Sequence, residues 1–297
     1  MTGQVRWRVS LEIPWTQVNA LPKNQKIIAI FEEKKMDLSL NGRNALVCGS
    51  SKGIGKAIAF ELAALGANVT LLARSKDLLE NILSSLPRTH KGQDHDYLMA
   101  DYADATDLHK KVNTLTSGRQ YQILINNTGG PPAGQLIDFT VEKIEDSFRK
   151  LFLINHDLVR LIVPGMKEAG YGRIINITST SVKEPLADLG LSNSLRAAVS
   201  NWAKTLANEL GPFNITVNNV MPGFTSTERL EELFAFRAKN LDVDQATLEA
   251  KAMDDIPLRR FGRPEEIAAA VAFLASPAAS YINGINLAVD GGRTKSM

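Results

Sequence analysis

From Asn44 onward, short runs of apolar residues alternate with longer segments in which apolar residues recur every three or four positions. The short runs are rich in β-branched residues, as strands are, and the longer segments have the pattern of amphipathic helices. This alternation predicts an α/β fold with a parallel sheet and helices on both faces. Seven strands are predicted, at about 44–48, 68–73, 96–100, 122–126, 173–178, 214–220 and 285–289.

The longest helical patterns cover about 141–169 and 190–210. We expect the segment 224–253 to form an added helical flap over the carboxyl ends of the strands. Its apolar residues are compatible with a lid over a ligand and equally with helix packing. They are Phe224, Leu230, Leu233, Phe234, Phe236 and Met253.

The first 35 residues differ from the rest of the chain. They show no sustained period of 2 or 3.6 and end in the charged run 32–35. Two interpretations are open: a disordered extension, or upstream sequence translated from a misassigned start. The remaining residues, 36–297, have the length of one doubly wound domain, so a single domain is predicted there.

Charge and cysteine content narrow the class of protein. Lys and Arg total 34 against 32 Asp and Glu, and no basic block is present, so no nucleic-acid partner is expected. Cys48, the single cysteine, lies within the first predicted strand and is expected to be a buried, inert thiol. The apolar run 27–31 is too short for a signal core or a membrane span. These features predict a cytoplasmic protein without a membrane partner.

Residues 44–60 predict a strand, a glycine loop and a helix in succession. The loop, residues 49–55, has the spacing G-x-x-x-G-x-G. Glycines let the backbone approach a pyrophosphate closely, and the free N–H groups at the start of the following helix favour negative charge. The segment is therefore predicted to bind a dinucleotide.

Further motifs follow in a characteristic order: an Asn-Asn-Thr-Gly segment at 126–129, an apolar strand ending at Ser179, Pro222-Gly223, and an Asp-Gly-Gly segment at 290–292. With these motifs, residues 36–293 resemble the short-chain dehydrogenase/reductase family, in particular its 3-oxoacyl-carrier-protein-reductase-like members. The resemblance implies a Rossmann-like fold and a nicotinamide cofactor. It also implies a small-molecule substrate and a homotetramer or homodimer.

The end of the second strand bears on the choice of cofactor. A site selective for NAD usually has an acidic residue there, whereas a basic residue accommodates the 2′-phosphate of NADP. This chain has Ala73 and Arg74 at that point, and Lys52 adds a positive charge in the glycine loop. NADP(H) is therefore favoured over NAD(H). The alternative is that Arg74 and Lys52 are simply solvated charges.

The resemblance assigns further residues to the cofactor. Asp101 stands at the adenine-contacting position, although an Asp at a strand end is also a common cap of the next turn. Thr225 and Thr227 follow the segment that holds the nicotinamide carboxamide in the family. The predicted cofactor residues are Gly49, Ser51, Lys52, Gly53, Ile54, Gly55, Arg74, Asp101, Asn127, Gly129, Pro222, Gly223, Thr225 and Thr227.

The catalytic residues depart from the family pattern, which is Asn, Ser, Tyr and Lys. Asn155 and Ser179 match the first two, but Ser192 and Arg196 occupy the Tyr and Lys positions. None of the chain's tyrosines lies near enough in sequence to replace the missing one. His156 is expected to point away from the site, and Lys183 is expected to be a solvated loop residue. No metal site is predicted.

This departure leaves two hypotheses open. A serine hydroxyl is a much weaker acid than a phenol, and arginine keeps its proton, so neither can relay a proton as the family pair does. The first hypothesis is an NADP(H)-dependent oxidoreductase in which Ser179 and Ser192 donate hydrogen bonds to a carbonyl and Arg196 stabilises negative charge. The resemblance suggests 3-oxoacyl thioesters as its substrates. The second is a catalytically degenerate NADP(H)-binding sensor or oligomer partner.

Overall fold

The computed structural model describes residues 36–296. The predictions for residues 1–35 lie outside these described residues.

The described part of the chain forms a seven-stranded sheet in which all neighbouring strands are parallel. The strand order is β3-β2-β1-β4-β5-β6-β7, so the chain reverses its direction of winding between β1 and β4. This order confirms the predicted Rossmann-like topology, and its reversal point is where ligands bind in such sheets. The strands are β1 Asn44–Cys48, β2 Asn68–Ala73, β3 Asp96–Met99, β4 Ile123–Asn126, β5 Gly172–Ile177, β6 Ile215–Pro222 and β7 Asn286–Val289.

Nine α-helices connect and flank these strands in the described residues, and none of them is long and apolar enough to cross a membrane. The helices are α1 Gly53–Ala64, α2 Lys76–Ser85, α3 Ala105–Gly118, α4 Val141–Phe148, α5 Ile154–Ala169, α6 Gly190–Leu210, α7 Glu228–Leu241, α8 Gln245–Asp254 and α9 Pro264–Ala275.

Two of the predicted helical segments are more divided than expected. The segment 141–169 contains a π-helical stretch, Arg149–Leu153, between α4 and α5. The flap 224–253 consists of α7 and α8, preceded by an extended start. Asp242 adopts a left-handed conformation that ends α7, and Asp244 caps α8 by accepting a hydrogen bond from the Thr247 amide.

Alternating strand residues form two hydrophobic cores, one on each face of the sheet. Ala45 and Val47 pack on the face covered by α1 and α9, whereas Leu46 and Cys48 pack on the face covered by α3, α5 and α6. Cys48 is fully buried, as predicted, and burial raises the pKa of its thiol to about 12.

A ladder of asparagine side chains crosses four strands of the sheet. The Nδ2 of Asn126 donates to Asn176 Oδ1, Asn176 Nδ2 to Asn219 Oδ1, and Asn219 Nδ2 to Asn286 Oδ1, each at 2.8 Å. Asn126, Asn176 and Asn219 are buried, so a shift of strand register would leave their polar groups without partners. The ladder thereby fixes how the ends of β4 to β7 are aligned.

Candidate active site

A cavity of about 690 Å³ opens at the carboxyl ends of the central strands. It extends from the glycine loop after β1, past the ends of β4, β5 and β6, to the first half of α6 and the start of α7. Most of the predicted site residues line it. They are Gly49, Lys52, Gly53, Ile54, Gly55, Arg74, Asn127, Gly129, Ser179, Ser192, Arg196, Pro222, Gly223, Thr225 and Thr227.

Glycines are required where the loop after β1 folds back on itself. Gly49 has a left-handed φ of +59°, and a Cβ on Gly55 would lie 2.2 Å from the Gly49 carbonyl oxygen. Asn127 Nδ2 donates to the carbonyl oxygens of Cys48 and Gly49, each at 3.2 Å. The end of β4 therefore holds the loop in one conformation.

The start of α1 is well suited to an anion. Lys52 occupies the N-cap position, makes no side-chain cap hydrogen bond, and is followed by a first turn without acidic residues. The amides of this turn and the helix dipole therefore face the cavity without an internal negative partner. The open glycine cradle and these free donors fit the pyrophosphate of a dinucleotide.

The two positively charged side chains that are predicted to bind the cofactor have different surroundings. Arg74 is exposed at the end of β2 and has no ion pair or hydrogen bond with another described residue. The ammonium of Lys52 pairs with Glu228 of α7 at 2.7 Å. Arg74 therefore carries the available positive charge at this end of the cavity, and Glu228 partly neutralises that of Lys52.

Three predicted site residues do not line the cavity: Ser51, Asp101 and Asn155. The Asp101 carboxylate accepts a hydrogen bond of 2.9 Å from the Ala103 amide, which is the turn-capping role considered from the sequence. Asn155 is buried behind the site and donates from Nδ2 to the Leu151 carbonyl oxygen at 2.8 Å. Contacts of these three residues with a ligand stay predictions.

Arg196 lies on α6 with its guanidinium directed at the end of β5. Its Nε donates to Ser192 Oγ at 3.1 Å, and its Nη1 donates to the carbonyl oxygens of Ile177 and Thr178 at 2.9 and 3.0 Å. Its Nη2 has no hydrogen-bond partner among the described residues and lies beside Gly130. Burial, and secondarily the positive charge of Arg229, lowers the pKa of Arg196 to about 10, so the group is still charged at neutral pH.

Two serine hydroxyls complete this side of the cavity. Ser192 is only 8% exposed and accepts the hydrogen bond from Arg196, while Ser179 Oγ accepts one of 3.1 Å from the Ser181 amide. Each hydroxyl keeps its own hydrogen for a further partner. Together with Arg196, they place three hydrogen-bond donors in the lining of one cavity.

The segment after β6 borders the opposite side. A Cβ on Gly223 would lie 2.7 Å from Asp290 Cβ, so the chain requires glycine here. Thr225 Oγ1 donates to the Gly223 carbonyl oxygen at 3.1 Å, and Thr227 Oγ1 to that of Thr225 at 3.2 Å. The threonine oxygens can still accept hydrogen bonds, as a carboxamide would require. That contact stays a prediction.

Two further arginines, Arg229 and Arg293, also line the cavity. Arg229 at the start of α7 donates from Nη2 to the Pro131 carbonyl oxygen at 3.1 Å and pairs with Glu232 at 3.3 Å. Arg293 lies 5.0 Å from the ring of Phe224. No local motif marks these residues, because only the tertiary fold brings them to the cavity.

The flap contributes both to the cavity and to internal packing. Phe224, Leu230 and Leu233 line the cavity, whereas Phe234 is buried against Phe224 and Phe261. Helix packing is therefore confirmed for Phe234, and a lid over a ligand formed by the three lining residues stays a prediction.

The two residues given little weight from the sequence lie outside the cavity lining. His156 Nδ1 accepts a hydrogen bond of 3.3 Å from Trp202 Nε1, and Lys183 is exposed. In residues 36–296 no cluster of three His, Cys, Asp or Glu side chains could hold a metal ion.

Comparison with known proteins shows the family of this chain. The model described as enoyl-(acyl carrier protein) reductase matches residues 49–294. NADPH-dependent reductase BacG of Bacillus subtilis is 33% identical over 87% of this chain and 100% of its own length. The 3-oxoacyl-[acyl-carrier-protein] reductase FabG of Pseudomonas aeruginosa is 34% identical over 86% and 98%.

A solved structure gives the same result. L-sorbose reductase from Gluconobacter frateurii, complexed with NADPH and L-sorbose, superposes with a TM-score of 0.81 at 32% identity, over 88% of this chain and all of that one. The family model spans most of the chain, and both curated relatives exceed 30% identity over nearly their full length. The chain belongs to the short-chain dehydrogenase/reductase family of oxidoreductases.

Proposed function

We propose that the protein is an NADP(H)-dependent reductase of a carbonyl substrate with an active site built on Ser179, Ser192 and Arg196. The observation that carries this proposal is that these three donors share one cavity with an intact glycine cradle. The names of BacG and L-sorbose reductase, which mention NADPH, support the choice of cofactor. The name of FabG supports 3-oxoacyl thioesters as one substrate class.

The residues at the glycine loop are suited to hold this cofactor. The amides at the start of α1 would bind the pyrophosphate, and Arg74 would bind the 2′-phosphate that distinguishes NADPH from NADH. When bound, NADPH supplies the hydride. Lys52 would contribute less than Arg74, because Glu228 already pairs with it.

The residues on α6 and at the end of β5 are suited to stabilise a developing oxyanion. Ser179 and Ser192 have free hydroxyl hydrogens, and Arg196 adds a fixed positive charge in a partly desolvated position. Donors that are already oriented stabilise such charge strongly. The described lining residues include no tyrosine, histidine or cysteine, so water or the substrate would provide the proton.

A second candidate is a catalytically degenerate NADP(H)-binding sensor or oligomer partner. It is favoured by one observation: three hydrogen bonds tie Arg196 to Ser192 and to the end of β5, as a purely structural residue would be. The cavity beside Nη2 argues against it, since a structural arginine needs no unpartnered donor directed at a ligand space.

Oxidation of NADPH by the full-length protein distinguishes the two candidates. The substrate panel comprises 3-oxoacyl thioesters, simple ketones, 2-oxo acids and quinones. The reductase proposal predicts turnover with at least one class, and Arg196→Gln should reduce it about a hundredfold while leaving NADPH binding intact. Tight NADPH binding without turnover on the whole panel would contradict the reductase and support the sensor.

A further inference from the structure

Arg196 carries a positive charge that no group of the described protein balances. It forms no ion pair, and its hydrogen-bond partners are a hydroxyl and two carbonyl oxygens, all uncharged. The positive charge of Arg229 acts in the same direction as burial and lowers the pKa of Arg196. A partly buried cation without a counter-charge is unfavourable in free energy. The site therefore lacks a compensating negative charge.

The acidic residues around the cavity are committed elsewhere. Glu228 pairs with Lys52 at 2.7 Å, and Glu232 pairs with Arg229 at 3.3 Å. Neither glutamate lies within ion-pair distance of Arg196. A negatively charged ligand group would therefore be stabilised beside Arg196 without competition from a protein carboxylate.

The cofactor is not an obvious source of this charge. Its phosphates belong at the glycine loop after β1 and at Arg74 after β2, whereas Arg196 contacts the end of β5, which is two and three strands away in the sheet. The nicotinamide end carries no negative charge. The substrate is the remaining candidate.

The other residues that line the cavity indicate which chemical groups that substrate would carry. Three groups here can donate hydrogen bonds, and none of them is a carboxylate or a carbonyl. They are Arg196 Nη2 and the hydroxyls of Ser192 and Ser179. The cavity lining also includes apolar residues from the segment before α6 and from the flap. Its members are Leu186, Leu189, Phe224, Leu230 and Leu233. Such a site suits a compact group of acceptor oxygens attached to an aliphatic tail.

We infer that the substrate is a 2-oxo acid with an aliphatic side chain, whose carboxylate binds Arg196 Nη2 while its keto oxygen binds the serine hydroxyls. This inference rests on the proposed function. A guanidinium matches a carboxylate in charge and shape, and a 2-oxo acid places both kinds of oxygen on adjacent carbons. In the reaction, hydride from NADPH would add to the keto carbon, and water would give a proton to the oxygen and leave as hydroxide, with NADP⁺ as the oxidised cofactor. The product is the 2-hydroxy acid.

Calorimetric titration of the full-length protein saturated with NADP⁺ tests the inference without requiring turnover. The probes are 2-oxohexanoate, its uncharged methyl ester, and the N-acetylcysteamine thioester of 3-oxohexanoate. The acid is expected to bind roughly tenfold or more tightly than either neutral probe, because only it supplies the missing charge. Equal or tighter binding of a neutral probe, or no binding of the acid, would overturn the inference.

Three variants test which positively charged side chain binds the carboxylate of the acid. Arg196→Gln should abolish the preference for the acid, and Arg229→Gln should reduce it. Lys183→Gln removes an exposed positive charge from the loop after β5, outside the cavity lining, and should leave it unchanged. A preference that persists in both arginine variants would also overturn the inference. Because binding is measured with NADP⁺, a protein that prefers the acid but lacks NADPH turnover would contradict only the proposed function.

Discussion

Arg196 Nε donates a hydrogen bond of 3.1 Å to the hydroxyl of Ser192, one turn earlier on α6. In the family pattern that this chain resembles, Lys stands at the position of Arg196 and Tyr at the position of Ser192. The replacement exchanges a pair that can move a proton for a pair that can only donate hydrogen bonds and hold positive charge. The consequences of this exchange are open to measurement.

Turnover should be nearly independent of pH from about 7 to 9, because none of the described residues that line the cavity is a tyrosine, histidine or cysteine. Burial lowers the pKa of Arg196 only to about 10, so its positive charge and the turnover that depends on it should persist across this range. A pH profile of kcat in matched ionic strength checks this. A bell-shaped profile centred between pH 7 and 9 would reveal an acid or base that this account lacks.

Arg74→Ala should weaken NADPH binding about tenfold and leave NADH binding unchanged, because it removes the unpaired charge at the end of β2. Titration of both cofactors by fluorescence measures the effect. Lys76→Ala is the matched control, since Lys76 is exposed nearby but pairs with Glu80 at 3.6 Å. Equal losses for both cofactors in the Arg74 variant would refute the assignment to the 2′-phosphate.

Gly55→Ala should destabilise the folded protein by about 1–3 kcal/mol, since the new Cβ would meet the Gly49 carbonyl oxygen at 2.2 Å. Gly129→Ala is the control: it lies in the same cavity but its Cβ would have nothing within 4 Å. Denaturant unfolding without cofactor compares the two. If the Gly55 variant were as stable as the Gly129 variant, the loop would not be packed as described.

A homotetramer or homodimer is expected in solution. The segment 136–153 supports this expectation, because it exposes apolar side chains that association would cover. Those more than 40% exposed are Leu136, Ile137, Val141 and Leu153. Light scattering at micromolar concentration should give the mass of two or four chains, and a monomer would reject the prediction.

The parts of the molecule predictable from sequence are those encoded by local pattern. The apolar run that contains Leu46 and Val47 indicates a strand buried on both faces of a sheet. The spacing of Gly49 and Gly55 indicates a loop whose backbone folds back on itself. Contacts between distant residues leave no such local signal. Lys52 and Glu228 are 176 positions apart, and each looks like an ordinary surface charge in the sequence.

The same limit explains two features that were not anticipated. The asparagines at 126, 176, 219 and 286 form one ladder only after four strands are aligned. The π-helical stretch Arg149–Leu153 follows an apolar period close enough to that of an α-helix to be predicted as one.

The relative turnover of Arg196→Ala and Ser192→Ala with NADPH tests the central claim most directly. Loss of an oriented charge beside a developing oxyanion costs roughly 3 kcal/mol, so Arg196→Ala should reduce kcat about a hundredfold. Ser192→Ala should cost much less, because the Ser179 hydroxyl and the positive charge of Arg196 remain. The contradicting result would be an inactive wild-type protein that gains ketone reduction only when Ser192→Tyr and Arg196→Lys are combined.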